Sequence, residues 1–305
     1  IILPVYNEED SIPTLVDEIF SVRELNNEGL EIIFIDDGST DKTKEKLIEA
    51  GKKYTSIKNI FFVKNFGQTA AITAGIDNAE GDVLITMDSD LQNDPNDIPK
   101  LLKKLDKGYD VVCGWRKNRK DKFLNRRLPS KIANMIISKI SHVHLNDYGC
   151  TLKAFKKDIL KDIRLYGEMH RFIPLYISWN GGKITEEVVN HRHRKHGKSK
   201  YGISRTVSVI VDLIFLKFLE KQFSHPLHLF GGFSLINFSL SIISFLLMLY
   251  FKFFGEKSFT ETPLPQLVIL FILIGVISLF MGFIAEILMR TYYESQDRKS
   301  YVKKK

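Results

Sequence analysis

Over the first 115 or so residues, short β-rich apolar runs alternate with stretches whose apolar positions recur every three to four residues. The pattern predicts strands over residues 1–5, 31–36, 59–64, 82–87 and 110–113, and helices over 11–25, 41–54, 68–78 and 96–105. Ser39, Thr40 and Asp41 are N-cap residue types placed where the second helix should start. Strand–helix alternation of this kind predicts an α/β domain of parallel strands with helices on both faces. In such sheets ligands bind at the carboxyl ends of the strands. The polar clusters fall at those ends: Tyr6-Asn7-Glu8, Asp36-Asp37-Gly38-Ser39 and Asp88-Ser89-Asp90.

The pattern changes near residue 227. Residues 233–254 are nearly all apolar, with Lys252 close to the far end. Residues 264–289 form a second such run, broken by Gln266, Gly275, Ser278, Gly282 and Glu286. Twenty-odd helical residues span the hydrocarbon core of a bilayer, about 30 Å. With the short polar turn 255–263 between them, the two runs predict a transmembrane hairpin. Just before it, Ile203, Val207, Ile210, Val211, Ile214 and Phe218 recur at helical spacing. That amphipathic stretch could lie in the headgroup layer or pack on the soluble domain. The expected organisation is therefore a soluble domain (1–200), a juxtamembrane helix (201–226), a hairpin (227–290) and a basic tail (291–305). Arg290, Arg298, Lys299 and Lys303 to Lys305 follow the second run, whereas the turn holds only Lys257. The positive-inside rule then puts the soluble domain on the cytoplasmic face of the cell membrane.

Charge and composition add detail. The net charge of +8 over 305 residues is concentrated in two blocks. One runs Arg116, Lys117, Arg119, Lys120, Lys122, Arg126, Arg127, Lys131; the other is His191 through Lys200. Such blocks suit phosphate, nucleic acid or an anionic membrane surface, or are a solvated face. No nucleic-acid-binding motif accompanies them, so nucleic acid is not expected as a partner. Two cysteines, Cys113 and Cys150, are too few for a disulfide framework and fit a reducing compartment. The chain opens on Ile1-Ile2-Leu3 with no initiator Met, as a sequence trimmed at its start would.

Asp88 and Asp90 stand two apart at the end of an extended run, so both carboxylates can point the same way. Two hard oxygen ligands suit Mg2+ or Mn2+, and Gln92 could add a third. A nucleotide sugar needs such a cation to neutralise its diphosphate leaving group. Alone, the same residues could be an acidic turn and helix cap. Likewise, the carboxylates of Asp36 and Asp37 could hydrogen-bond a base or a ribose.

The order Pro4-Val5-Tyr6-Asn7-Glu8, Asp36-Asp37-Gly38-Ser39, Asp88-Ser89-Asp90-Leu91-Gln92 resembles the inverting family 2 glycosyltransferases with the GT-A fold. The resemblance continues through Asn65-Phe66-Gly67-Gln68, Asn146-Asp147-Tyr148-Gly149-Cys150, Gly167 to Phe172 and Gly197-Lys198-Ser199-Lys200-Tyr201. Within that family the chain is similar to the polyprenyl-phosphate branch: dolichol-phosphate mannosyltransferases, bactoprenol glucosyltransferases and the undecaprenyl-phosphate formamidoarabinose transferase. Bactoprenol glucosyltransferases tend to carry a further Asp where this chain has Cys150, so its pattern stands closer to the formamidoarabinose branch.

The resemblance implies transfer of a sugar from a UDP- or GDP-sugar to a membrane polyprenyl phosphate, with Mg2+ or Mn2+ as cofactor. By resemblance, Pro4, Tyr6, Glu8 and Asp37 line the nucleotide pocket, and Asp88, Asp90 and Gln92 hold the metal. Arg116, Arg126 and Ser130 match positions that bind the acceptor phosphate, and guanidinium forks suit that anion. Arg194, Lys198 and Lys200 belong to a tract expected to close over the diphosphate or the lipid headgroup. Asp90, Arg116 and Asp147 are expected to carry the chemistry, with Asp147 orienting a sugar hydroxyl or an arginine. Relatives of this kind allow homo-oligomers assembled through the membrane region. A processive polysaccharide synthase of the same family would carry a Gln-x-x-Arg-Trp motif, and neither Trp115 nor Trp179 follows an arginine. An inactive, membrane-tethered nucleotide-binding protein would not need both Asp88 and Asp90.

Overall fold

The computed structural model describes residues 1–26, 29–117, 138, 143–160, 167, 169–193, 226–255 and 258–295. The chain divides into two units, residues 1–214 and 215–305. The expected juxtamembrane helix at 201–226 lies outside the described residues but for Pro226, and most of the basic tail lies outside them as well.

In the first unit, seven strands form one sheet in the order β3-β2-β1-β4-β6-β5-β7. They are β1 Ile2–Val5, β2 Ile32–Asp36, β3 Ile57–Phe61, β4 Val83–Thr86, β5 Val111–Trp115, β6 Lys153–Lys156 and β7 Ile184–Val188. The helices are α1 Ile12–Ser21, α2 Arg23–Asn26, α3 Thr43–Lys53, α4 Gln68–Asn78, α5 Ile98–Leu105 and α6 Ile173–Trp179. β2, flanked by β1 and β3, is buried along its whole length, which its sequence Ile-Ile-Phe-Ile-Asp permits. On α1, Ile12, Leu15, Val16 and Ile19 form one buried stripe against the sheet.

The all-parallel expectation is corrected at one strand. β6 runs antiparallel to both β4 and β5, in the register Leu84↔Phe155 and Val112↔Ala154. Neither β6 nor β7 is prominent in the hydrophobic pattern, because one is four residues with a lysine at each end and the other carries Glu186 and Glu187. The helix expected over 11–25 breaks at Val22, whose extended backbone lets Val22 and Leu25 both reach the core. The third strand ends three residues early, at Phe61.

Ser39, Thr40 and Asp41 are not helix caps as a group. The helix begins at Thr43, and Asp41 accepts from the Thr43 amide at 3.0 Å. Ser39 and Thr40 turn instead to the first strand's loop: the Asn7 amide donates to Ser39 Oγ at 2.9 Å, and the Thr40 amide to Asn7 Oδ1 at 2.8 Å. Just before them Gly38 adopts φ +71°, and a Cβ there would sit 2.5 Å from the Lys64 carbonyl carbon.

The second unit contains α7 Pro226–Phe253 and α8 Leu264–Ser295, which extend beyond the predicted 233–254 and 264–289. Their most apolar windows have mean hydropathies of 2.0 and 3.0, yet only 22% and 17% of those windows are buried. Phe233, Leu235 and Ile277 are exposed, whereas Ser234, Asn237, Ser241 and Ser244 are buried. Ser234 Oγ donates to the Gly275 carbonyl at 2.7 Å, and Ser241 Oγ to that of Val268 at 3.1 Å. Apolar outside and polar inside is the distribution expected of helices solvated by lipid. A core helix of a water-soluble domain would be mostly buried.

Gly38→Ala should destabilise the first unit by about 2 kcal/mol or more, from left-handed backbone cost plus the clash with Lys64. Gly108→Ala, at φ +90° with nothing within 4 Å of its Cβ, should show only the backbone cost. Thermal unfolding of the two variants in detergent checks this, and equal losses would refute the close-approach argument.

Candidate active site

The loops following β1, β2, β4 and β5 lie on one rim of the sheet, at the carboxyl ends of those strands. Two non-glycine residues among those described have positive φ, Asn7 at 55° and Leu91 at 62°. One follows β1 and the other β4, so both strained positions belong to this rim.

Pro4, on β1, accepts from Ser89 Oγ at 2.9 Å, which ties β1 to the Asp88-Ser89-Asp90 loop. Tyr6 is half-buried in the loop after β1. Glu8 is buried; its carboxylate accepts from Ser11 Oγ at 2.8 Å and its amide donates to Thr43 Oγ1 at 2.8 Å. The two Asp37 oxygens accept from the amides of Phe66 and Gly67 at 2.7 and 2.9 Å. Burial raises the Asp37 pKa, partly offset by those amides. Asp37 therefore shapes the Asn65-Phe66-Gly67 loop at this rim.

Asp88 Oδ1 accepts from Gln68 Nε2 at 2.8 Å and Oδ2 from Thr151 Oγ1 at 2.7 Å. Asp90 Oδ1 accepts from the Gln92 amide at 3.1 Å. The Gln92 side-chain nitrogen donates to the Arg192 carbonyl at 3.4 Å, so its amide oxygen is the end suited to a cation. No group of three or more His, Cys, Asp or Glu among the described residues is placed to hold a metal. Asp88, Asp90 and Gln92 offer two carboxylates and an amide on one loop. That set fits Mg2+ or Mn2+ in the mode where waters and substrate phosphates complete the shell.

Arg116 and Asp147 form a bidentate pair, Nε to Oδ2 at 2.7 Å and Nη2 to Oδ1 at 3.0 Å. Asp147 is buried, and its Oδ1 also accepts from the Gly149 amide at 3.2 Å. A Cβ on Gly149 would come within 3.3 Å of the guanidinium, so the loop closes tightly on it. Burial alone would lower the Arg116 pKa; Asp147 foremost, together with Cys150 and Asp88, outweighs it, and the guanidinium stays charged. Asp147 is held in turn by Glu186, which accepts from its amide at 3.0 Å. Lys153 is buried, its pKa lowered by desolvation, and it donates to the Tyr148 carbonyl at 3.3 Å. Burial pushes the thiols of Cys113 and Cys150 up to about 12 and about 11, which leaves them protonated and unreactive at neutral pH.

The segment 190–193 runs beside the loop that carries Gln92. Asn93 and His191 form an antiparallel bridge, and the Arg192 amide donates to the Gln92 carbonyl at 2.9 Å. The Arg192 guanidinium spans Glu18 on α1 at 2.7 Å and Asp94 at 2.9 Å. Behind the loop, Asp97 is fully buried and takes the Asn190 amide at 2.6 Å. His170 Nδ1 lies 2.7 Å from Thr69 Oγ1 at the start of α4, which links the 167–172 motif to this rim.

The structure thus gathers Pro4, Tyr6, Glu8, Asp37, Asp88, Asp90, Gln92, Arg116 and Asp147 along one rim. Arg126, Ser130, Arg194, Lys198 and Lys200 lie outside the described residues. Sequence reasoning did not single out Thr151, Glu186 or the Arg192 clamp, and it quoted Gln68 only inside a motif. Thr151 directly follows the Asn146–Cys150 motif, and that adjacency was the signal available for it.

A mixed sheet of this topology with helices packed on it is a GT-A-like fold. The chain belongs to glycosyl transferase family 2, which residues 1–164 match. It is 39% identical to the dodecaprenyl-phosphate galacturonate synthase of Rhizobium johnstonii, over 99% of this chain and 90% of that protein. It is 35% identical to the undecaprenyl-phosphate 4-deoxy-4-formamido-L-arabinose transferase of Salmonella choleraesuis, over 99% and 91%. Among solved structures it is similar to glucosyl-3-phosphoglycerate synthase from Mycobacterium tuberculosis in complex with Mn2+, UDP and phosphoglyceric acid. That likeness has a TM-score of 0.56 at 18% identity, covers 72% of this chain and 76% of that one, and concerns the fold.

Burial works to raise the Asp94 pKa, but Asn96 and the Arg192 guanidinium outweigh it and hold the carboxyl below its usual 3.8. A depressed folded value means stability that is present above the ordinary range and lost as pH falls through the folded value. The melting-temperature gap between wild type and Asp94→Asn should therefore be open at pH 7 and close below about pH 4. A gap constant down to pH 3 would refute the ion pair's contribution.

Proposed function

We propose that this membrane protein transfers a sugar from a nucleotide-sugar donor to the phosphate of a polyprenyl phosphate, with inversion, on the cytoplasmic face. Its relatives along nearly the whole chain are polyprenyl-phosphate sugar transferases, which supports the lipid acceptor. The observation that carries the reading is the Arg116–Asp147 fork, a buried, fixed cation beside the acidic loop that bears Asp88. A guanidinium there suits an anionic acceptor close to a metal-bound donor.

The nucleophile is an oxygen of the acceptor phosphate, which attacks the anomeric carbon as the bond to the nucleoside diphosphate breaks. A phosphate monoester has its second pKa near about 6, so the acceptor is already largely a dianion at neutral pH. No protein base is needed. Asp147, with both oxygens on Arg116, serves as the holder of that arginine. Asp88, Asp90 and Gln92 would hold Mg2+ or Mn2+, which supplies positive charge to the diphosphate as it leaves. Asp37 and Glu8 set the loops around the nucleotide, with Pro4 and Tyr6 forming its wall. Arg126 and Ser130 are assigned to the acceptor phosphate, and Arg194, Lys198 and Lys200 to the diphosphate or lipid headgroup.

Transfer of radiolabelled sugar from UDP- or GDP-sugars into a lipid-phase product should require polyprenyl phosphate. Asp88→Asn and Asp90→Asn should each lower turnover a hundredfold or more, on the order of 3 kcal/mol. EDTA should do the same to wild type, reversibly with Mn2+ or Mg2+; full activity in EDTA would refute the metal assignment.

The pH dependence of kcat/KM separates holder from base. Wild type and Asp147→Asn should both keep an acidic limb near the phosphate's own pKa, with Asp147→Asn more active than Asp147→Ala. Loss of that limb in Asp147→Asn, with a fall of about 10² to 10⁴, would make Asp147 the base instead.

A further inference from the structure

We propose that Glu186 is a positioning residue for the acceptor-phosphate arginine, acting on Arg116 through Asp147. The inference rests on the reading of Arg116 given above. Glu186 lies on β7, opposite Cys113 of β5, whose end leads directly to Arg116. Its two carboxylate oxygens accept from the Asn146 amide, each at 2.8 Å. Oε2 also takes Asn146 Nδ2 at 2.7 Å, and Oε1 takes the Asp147 amide at 3.0 Å.

One carboxylate thus gathers two consecutive backbone N–H groups and a side-chain amide, an arrangement that fixes the local backbone against rotation. The Glu186 backbone is itself pinned from α5, where Lys104 Nζ donates to its carbonyl at 2.6 Å and pairs with Glu187 at 3.2 Å. Asp147, held at its amide, then aims both oxygens at Arg116. The direction of the guanidinium is therefore set from a strand 70 residues further along the chain. Without Glu186, two adjacent N–H groups lose this carboxylate and the 146–149 turn loses the constraint it imposes from β7. Asp147 and Arg116 can still attract each other, but their shared direction is no longer imposed.

The test uses the full chain in detergent micelles, with farnesyl phosphate and Mn2+–UDP as separate probes. Binding is read from tryptophan fluorescence in a Trp179→Phe background, which leaves Trp115, the residue before Arg116, as the reporter. Glu186→Ala should weaken farnesyl phosphate binding about tenfold or more, as loss of an orienting partner does. Glu186→Gln, which keeps one acceptor oxygen, should fall between it and wild type, and Mn2+–UDP affinity should stay within about twofold. Hydrogen exchange over residues 143–151 should quicken in Glu186→Ala. In an Arg116→Ala background, Glu186→Ala should add no further loss of farnesyl phosphate affinity. Equal weakening of both probes, additive losses in the double variant, or unchanged exchange would each overturn the proposal. Farnesyl phosphate binding untouched by Arg116→Ala would sink the acceptor reading of Arg116, while faster exchange in Glu186→Ala would still uphold the positioning of the loop.

Discussion

The site depends on the direction of a single strand. Because β6 runs against β4 and β5, its beginning lies on the rim where its neighbours end. The residues that lead into β6 are thereby delivered to the ends of β4 and β5. Thr151 reaches Asp88 and Asn93, Asp147 reaches Arg116, and the Thr151 carbonyl takes the Thr86 hydroxyl. A parallel β6 would have carried the Asn146–Thr151 segment to the opposite rim and left Asp88 and Arg116 without these partners.

Around that junction the charges are organised by backbone amides and hydroxyls. Asp37, Asp147 and Glu186 each receive at least one main-chain N–H, while Asp88 receives an amide and a hydroxyl from side chains. Neutral donors let acidic groups crowd one rim without cations to neutralise each of them. The positive-φ backbone at Asn7 and Leu91 costs energy locally. At Asn7 that cost is met by contacts to Ser39 and Thr40, and at Leu91 by full burial of its side chain.

Much of this was legible in the hydrophobic pattern, and the rest was hidden for definite reasons. β1, β2 and β4 read clearly because their apolar runs end at polar clusters, and α4 was read at its observed bounds. β6 and β7 were obscure because lysines and glutamates occupy positions that packing, rather than hydropathy, dictates. With those strands went the direction of β6, and with it the route by which residues 146–151 meet residue 88. Asp88, Asp90 and Asp147 stood out through motif resemblance. Their holders did not, since Gln68, Thr151 and Glu186 act across separations that no local spacing encodes.

The serines of α7 have a mechanical consequence. Ser234 bonds Gly275 and Ser241 bonds Val268, seven residues apart on each helix, so the two helices share one fixed antiparallel register. A hydroxyl torn from its carbonyl inside hydrocarbon finds no water to replace it. Phe238 also lodges where a side chain on Gly275 would be, which opposes lengthwise slippage by a helical turn of about 5.4 Å. Across a bilayer, a hairpin locked in this way would adapt to thickness by leaning as a single strut, because it cannot telescope.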